Sequence, residues 1–89
     1  MELREITNRT KAVIRKWAKM PDDMTLVLDD KLSSLRPNAQ DELRNAINAD
    51  FEGEKNMPIS KPDWDKKDPE TVRDVRDLVD SFINNGDKR

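Results

Sequence analysis

Few side chains in this sequence can make or break a bond. With no cysteine and no histidine there is neither a thiolate nor an imidazole for nucleophilic attack, proton transfer or metal binding, which removes most catalytic constellations at once. The densest acidic group is Asp63, Asp65, Asp68 and Glu70. A calcium loop would need a glycine at its sharp turn and a closing glutamate, whereas here Lys66 and Lys67 stand in the middle. The group reads as a solvated loop that neutralises itself. Acid and base work by carboxylates would require a pocket that raises one pKa, and nothing in the sequence suggests one that large. Neither an enzyme nor a metal site is expected.

The cations are more suggestive. Arg4, Arg9, Lys11, Arg15, Lys16 and Lys19 fall on the outer face of the first helical segment, giving residues 1–20 a net charge of +4 against −6 for residues 21–89. Such a face raises the question of nucleic acid. Acidic residues follow closely at Asp22, Asp23, Asp29 and Asp30, and no aromatic sits among the cations to stack on bases, so a solvated face is the preferred reading. Trp17 and Trp64 read as core residues. Trp64 lies in a charged stretch between Pro62 and Asp68, where an exposed indole would be an anchor for a partner protein.

The elements that carry these residues are read from apolar spacing. Leu3, Ile6, Val13, Ile14 and Trp17, with Thr10 filling the gap, predict a helix over about residues 2–19 that ends at Pro21. A turn at Asp22, Asp23 and Thr25 leads into a long loop anchored by Leu28, Leu32 and Leu35. Leu26 and Leu28 alternate briefly like a strand, but no partner strand is evident. The stretch from Pro37 to Phe51 predicts a central helix over about 38–52, with Ala39, Leu43, Ala46, Ile47 and Phe51 on one side, Asn38 as cap, Asp41 completing a capping pair and Gly53 closing it. A second loop, anchored by Met57, Ile59 and Trp64, has room for a short helix at 62–66. The last helix is expected over 69–84, capped by Asp68 with Pro69 in its first turn, seamed by Val72, Val75, Val79, Phe82 and Ile83, and stopped by Asn84, Asn85 and Gly86.

Leu, Ile, Val and Phe make up 19 of the 89 residues, just above the roughly 20% below which a highly charged chain is expected to be disordered, and the net charge is only −2. One small all-α domain spanning residues 1–89 is therefore expected, with net stability of roughly 3 to 5 kcal/mol. The amino-terminal stretch has no apolar run of seven or more, so a cytoplasmic protein without a signal peptide or membrane anchor is expected, and with no large apolar face left once the three seams pack together a monomer is expected.

In this order the phrases resemble the acyl carrier protein family over the whole length. TKAVIRKWAKMPDDMT is similar to a carrier's first helix and turn, LDDKL to the phrase before its serine motif, and ELRNAINADF to its second helix with a closing aromatic. ISKPDWDKKDPETVRDVRDLVDSF resembles the third helix and the opening of the fourth. The resemblance implies a three- or four-helix bundle with a long loop between helices 1 and 2. It also implies protein partners, acyl-transfer or biosynthetic enzymes among them, and neither nucleic acid nor membrane. In that family an Asp-Ser-Leu motif at the start of the second helix carries a 4′-phosphopantetheine arm, where backbone N–H groups and the helix dipole favour the phosphodiester. Asp-Ser-Leu occurs nowhere in this chain, and the serine's place falls on Arg36 or Pro37, neither of which can carry the arm. Two functions follow. The favoured one is a carrier-like module without the cofactor, acting by protein–protein recognition. The alternative is a carrier with its arm displaced to Ser34 or Ser33. The surface that carrier enzymes normally read is acidic, whereas here Arg36 and Arg44 interrupt Asp41, Glu42 and Asp50. Arg36, Asp41 and Arg44, with the Trp64 indole as a further anchor, are thus the expected partner contacts.

Overall fold

A computed structural model describes residues 1–21 and 23–85; the expected turn residue Asp22 and stop residue Gly86 lie outside them. Five helices and no strand occur among the described residues: α1 (Leu3–Ala18), α2 (Leu32–Leu35), α3 (Gln40–Asp50), α4 (Lys61–Lys67) and α5 (Val72–Asn85). The all-α expectation holds. The radius of gyration, 12.0 Å, matches the roughly 12 Å of a single compact domain of this length.

The helix at the centre is α1. It packs on both α3 and α5, while α3 packs on α1 and α4. The Pro37–Phe51 stretch, expected at the centre, is therefore one flank of a longer helix. Ile6, Thr10, Val13, Ile14 and Trp17 form a buried stripe along α1, as the spacing predicted, although Leu3 at the first helical position remains 47% exposed. Lys19 closes α1 in the left-handed conformation (φ 57°), and the Met20 N–H reaches back to the Arg15 carbonyl. This is a helix stop that glycine usually makes, here made by lysine one residue before Met20-Pro21.

Two starts differ from expectation. α3 begins at Gln40 with Ala39 at the cap position and no side-chain cap, while Asn38 sits in the left-handed region (φ 60°). Asn38 is thus used for its tolerance of positive φ in the preceding turn instead of for its side-chain oxygen. Asp68, expected to cap the last helix, closes α4 in the left-handed conformation (φ 50°). Thr71 opens α5 in its place: its hydroxyl accepts from the Asp74 N–H (3.1 Å), and the Asp74 carboxylate accepts from the N–H groups of Thr71 (3.2 Å) and Glu70 (3.0 Å). This reciprocal pair, Thr71 and Asp74, is the capping box of the chain. Gly53 does adopt positive φ (89°), two residues beyond the Phe51 cap. The short helix expected at 62–66 is α4, started by Ser60, whose hydroxyl accepts from the Asp63 N–H.

The long loop after α1 is stitched to the entry of α5. Lys31 and Thr71 form an isolated antiparallel bridge, with the Leu32 N–H donating to Glu70 and the Val72 N–H to Asp30. The stretch read as one long loop is thus interrupted by this bridge and by the single turn of α2. Leu32 is buried as expected, Leu28 and Leu35 are partly buried, and the deeper second anchor is Leu26, at 4% exposure. On α5 the expected seam is buried, and Leu78 joins it.

Two buried side-chain polar atoms among the described residues lack a partner, Arg44 Nε and, within the core, Thr10 Oγ1. Thr10 is fully buried and its hydroxyl has no hydrogen-bond partner among the described residues. An orphaned buried hydroxyl costs about 1 to 3 kcal/mol, and valine has nearly the same shape. Thr10→Val should therefore raise stability by about 1 kcal/mol, read as a higher urea midpoint with an unchanged slope.

Candidate functional site

The sequence directs attention to the turn between α2 and α3. Ser33 and Ser34 both lie inside α2, a single turn of helix, and both are exposed. Between them and α3 stand Arg36 in extended conformation, Pro37, Asn38 and Ala39. The amino end of α3 thus carries no hydroxyl residue.

Arg36 is held on three sides. One Nη donates to the Trp17 carbonyl at 2.8 Å, the other pairs with Glu42 at 2.5 Å, and the guanidinium lies 5.9 Å from the centre of the Trp17 ring. Trp17 itself donates from Nε1 to the Ala39 carbonyl at 2.9 Å. These contacts fasten the α2–α3 turn to the carboxyl end of α1.

Next to this turn lies a surface cleft of about 490 Å³ that includes Ser33, Arg36, Asp41, Glu42, Lys61 and Asp65 in its lining. Its charges satisfy one another. Lys61 Nζ is 3.2 Å from Asp65 and 3.3 Å from Asp41, tying α4 to α3. The hydrogen bond to Asp65, then that to Asp41, holds the Lys61 ammonium above its ordinary value of 10.5. The folded chain therefore keeps this proton more tightly than the unfolded one, so the contribution is complete below the ordinary lysine value and disappears as pH rises through the folded value. With Lys61 exposed to solvent the effect is small. Urea midpoints of the parent and a Lys61→Met variant should differ slightly at neutral pH and converge as pH is raised beyond 10.5.

Of the expected partner residues, Arg36 and Asp41 share this cleft with Ser33, whereas Ser34, Arg44 and Trp64 do not line it. Arg44 is half-buried and donates to the Ile59 carbonyl at 3.2 Å. Trp64 is a core residue, as its sequence reading has it, at 2% exposure and with its N–H donating to Gln40 Oε1 at 2.9 Å; the indole is therefore not exposed as a partner anchor. Gln40 in turn donates to the Pro69 carbonyl at 3.1 Å, so one side chain joins α3, α4 and the lead into α5. Sequence reasoning missed Gln40, because a glutamine at a helix start carries no local signal of a contact 24 residues away.

The acidic group of the second loop is dispersed. Asp63 bonds Ser60, Asp65 pairs with Lys61 and Asp68 closes α4. Among the described residues no cluster of three or more candidate metal ligands converges, and no helix is long and apolar enough to cross a membrane. Comparison with known proteins finds no match to this chain among family models, curated proteins or solved structures.

Proposed function

We propose that this chain is a non-catalytic module, similar in helix order to an acyl carrier protein, that acts by protein–protein recognition without a phosphopantetheine arm. The observation that carries this reading is Arg36. With Pro37 it is one of the two positions to which the resemblance assigns the attachment serine, and its guanidinium is fixed by the Trp17 carbonyl and Glu42. Asn38, Ala39 and Gln40 at the start of α3 supply no substitute hydroxyl. No cofactor is expected.

One observation favours the second reading, a carrier with a displaced arm. Ser34 and Ser33 are both exposed just ahead of α3, within physical reach of a modifying enzyme. Intact mass after incubation with a permissive phosphopantetheinyl transferase and coenzyme A separates the two. The recognition module gains nothing while an authentic carrier protein is modified in the same tube. A gain of one phosphopantetheine, placed on Ser34 or Ser33 by fragmentation, would overturn it.

A further inference from the structure

The structure divides the six cations of α1 into two kinds. Arg9 is structural: it binds the Asp50 carboxylate and carbonyl at the end of α3, and its guanidinium lies 4.4 Å from the Phe51 ring centre. Arg15 is structural as well, holding the loop after α1 through the Met24 carbonyl (2.6 Å) and the Pro21 carbonyl (3.1 Å). The side chains of Arg4, Lys11, Lys16 and Lys19 make no ion pair or hydrogen bond among the described residues. The one acidic residue interleaved with them, Glu5, faces Arg9 at 4.0 Å. Lys16 borders the groove between α1 and α3 beside Glu42 and Asp50, which leaves Arg4, Lys11 and Lys19 as the cations on the solvent side of the central helix and at its carboxyl end.

That side is also shaped for a helix. Arg4 and Lys11 stand seven residues, close to two turns, apart on α1, and Lys19 follows at its left-handed cap, with exposed Asn8 and Ala12 between them. The small Ala12 allows a second backbone to approach while long side chains flank it, the arrangement of apolar or small seam and charged rim by which helices pair. At the carboxyl end the Arg15 clamp presents Met24, 51% exposed, as an apolar footing. All four aromatic residues of the chain are buried, at 5% exposure or less, which leaves no platform for nucleic-acid bases. The apolar stripe of α1 is committed to the core, so this helix has no face to lay into a bilayer.

We infer that the outer face of α1 is a docking surface for an acidic helical segment of a partner protein, one with carboxylates repeating every seven to eight residues. The inference rests on the reading of the chain as a recognition module. It places that module's contact on α1, away from the self-neutralised cleft between α3 and α4.

The probe is a synthetic helical peptide of about 20 residues, long enough to span α1, with glutamates at heptad spacing on an alanine-rich face. Titrated into the isotope-labelled full chain, it should shift amide resonances on the outer side of residues 3–19. The dissociation constant should rise about tenfold or more when Arg4→Glu, Lys11→Glu and Lys19→Glu are combined, and by a similar factor at high salt. The milder pair Lys11→Gln and Lys19→Gln, with circular dichroism unchanged, should weaken binding in the same direction. Shifts confined to the Asp41–Asp65 cleft would overturn the α1 surface while leaving the recognition reading intact. Failure of the peptide to bind, whether or not duplex DNA or phosphatidylglycerol vesicles bind, would overturn it also. Attachment of phosphopantetheine in the separate mass measurement would remove the recognition reading whatever the peptide does.

Discussion

A Trp64→Ala variant is expected to be largely unfolded at room temperature. The indole is 2% exposed, and removing a buried tryptophan costs about 3 to 5 kcal/mol, which equals the roughly 3 to 5 kcal/mol that a core of this size supplies in total. Two losses combine in that figure. The ring leaves a void beneath α4, and Gln40 Oε1 loses the donor 2.9 Å away that joined α3 to α4. Trp64→Phe separates them, because it keeps most of the ring and removes only the N–H; its cost should be about 1 to 2 kcal/mol. Urea titration followed by circular dichroism reads both variants. A Trp64→Ala protein that melted like the parent would mean that the indole is not part of the core.

Leu43→Ala should come next in size, at about 2 to 4 kcal/mol. Leu43 is fully buried on α3, in the same core cluster as the α1 stripe. In a domain of this length each kcal/mol moves the melting midpoint by about 4 to 8 °C, so the variant should melt at least about 8 °C below the parent. Lys66→Ala, on the exposed side of α4, is the matched control and should leave the midpoint unchanged within error. The two core substitutions test different parts of the bundle. Leu43 reports on α3 in the core it shares with α1, and Trp64 on the attachment of α4. A Leu43→Ala protein as stable as the parent would remove α3 from the core.

Much of this architecture is legible in the amino-acid sequence. The buried stripe of α1, the seam of α5, the short helix after Ile59 and the glycine turn at Gly53 were read from period and punctuation, both of which are local properties of a chain. The errors cluster where two local signals competed. Asp68 and Thr71 are both good cap residues three positions apart, and the one chosen is the one whose flanking backbone also pairs with the loop, through the Lys31–Thr71 bridge. Asn38 has both a capping oxygen and a tolerance of positive φ, and the turn used the second.

At the candidate site the sequence by itself determined what is missing: no histidine, no cysteine, and no Asp-Ser-Leu at the place where the family resemblance calls for it. Residue identity settles such absences without geometry. It also determined the number of long helices, since each carries its own apolar period. Only the tertiary structure decided that α1 lies at the centre, that the Trp64 N–H finds Gln40, and that Arg9 and Arg15 are fastenings while Arg4, Lys11, Lys16 and Lys19 remain free of ion pairs among the described residues. The physical reason is reach. Helix period and caps are fixed by residues within a turn or two, whereas the partners of Arg9 and Trp64 lie 41 and 24 residues away in the chain and come within bonding distance only once the helices have packed.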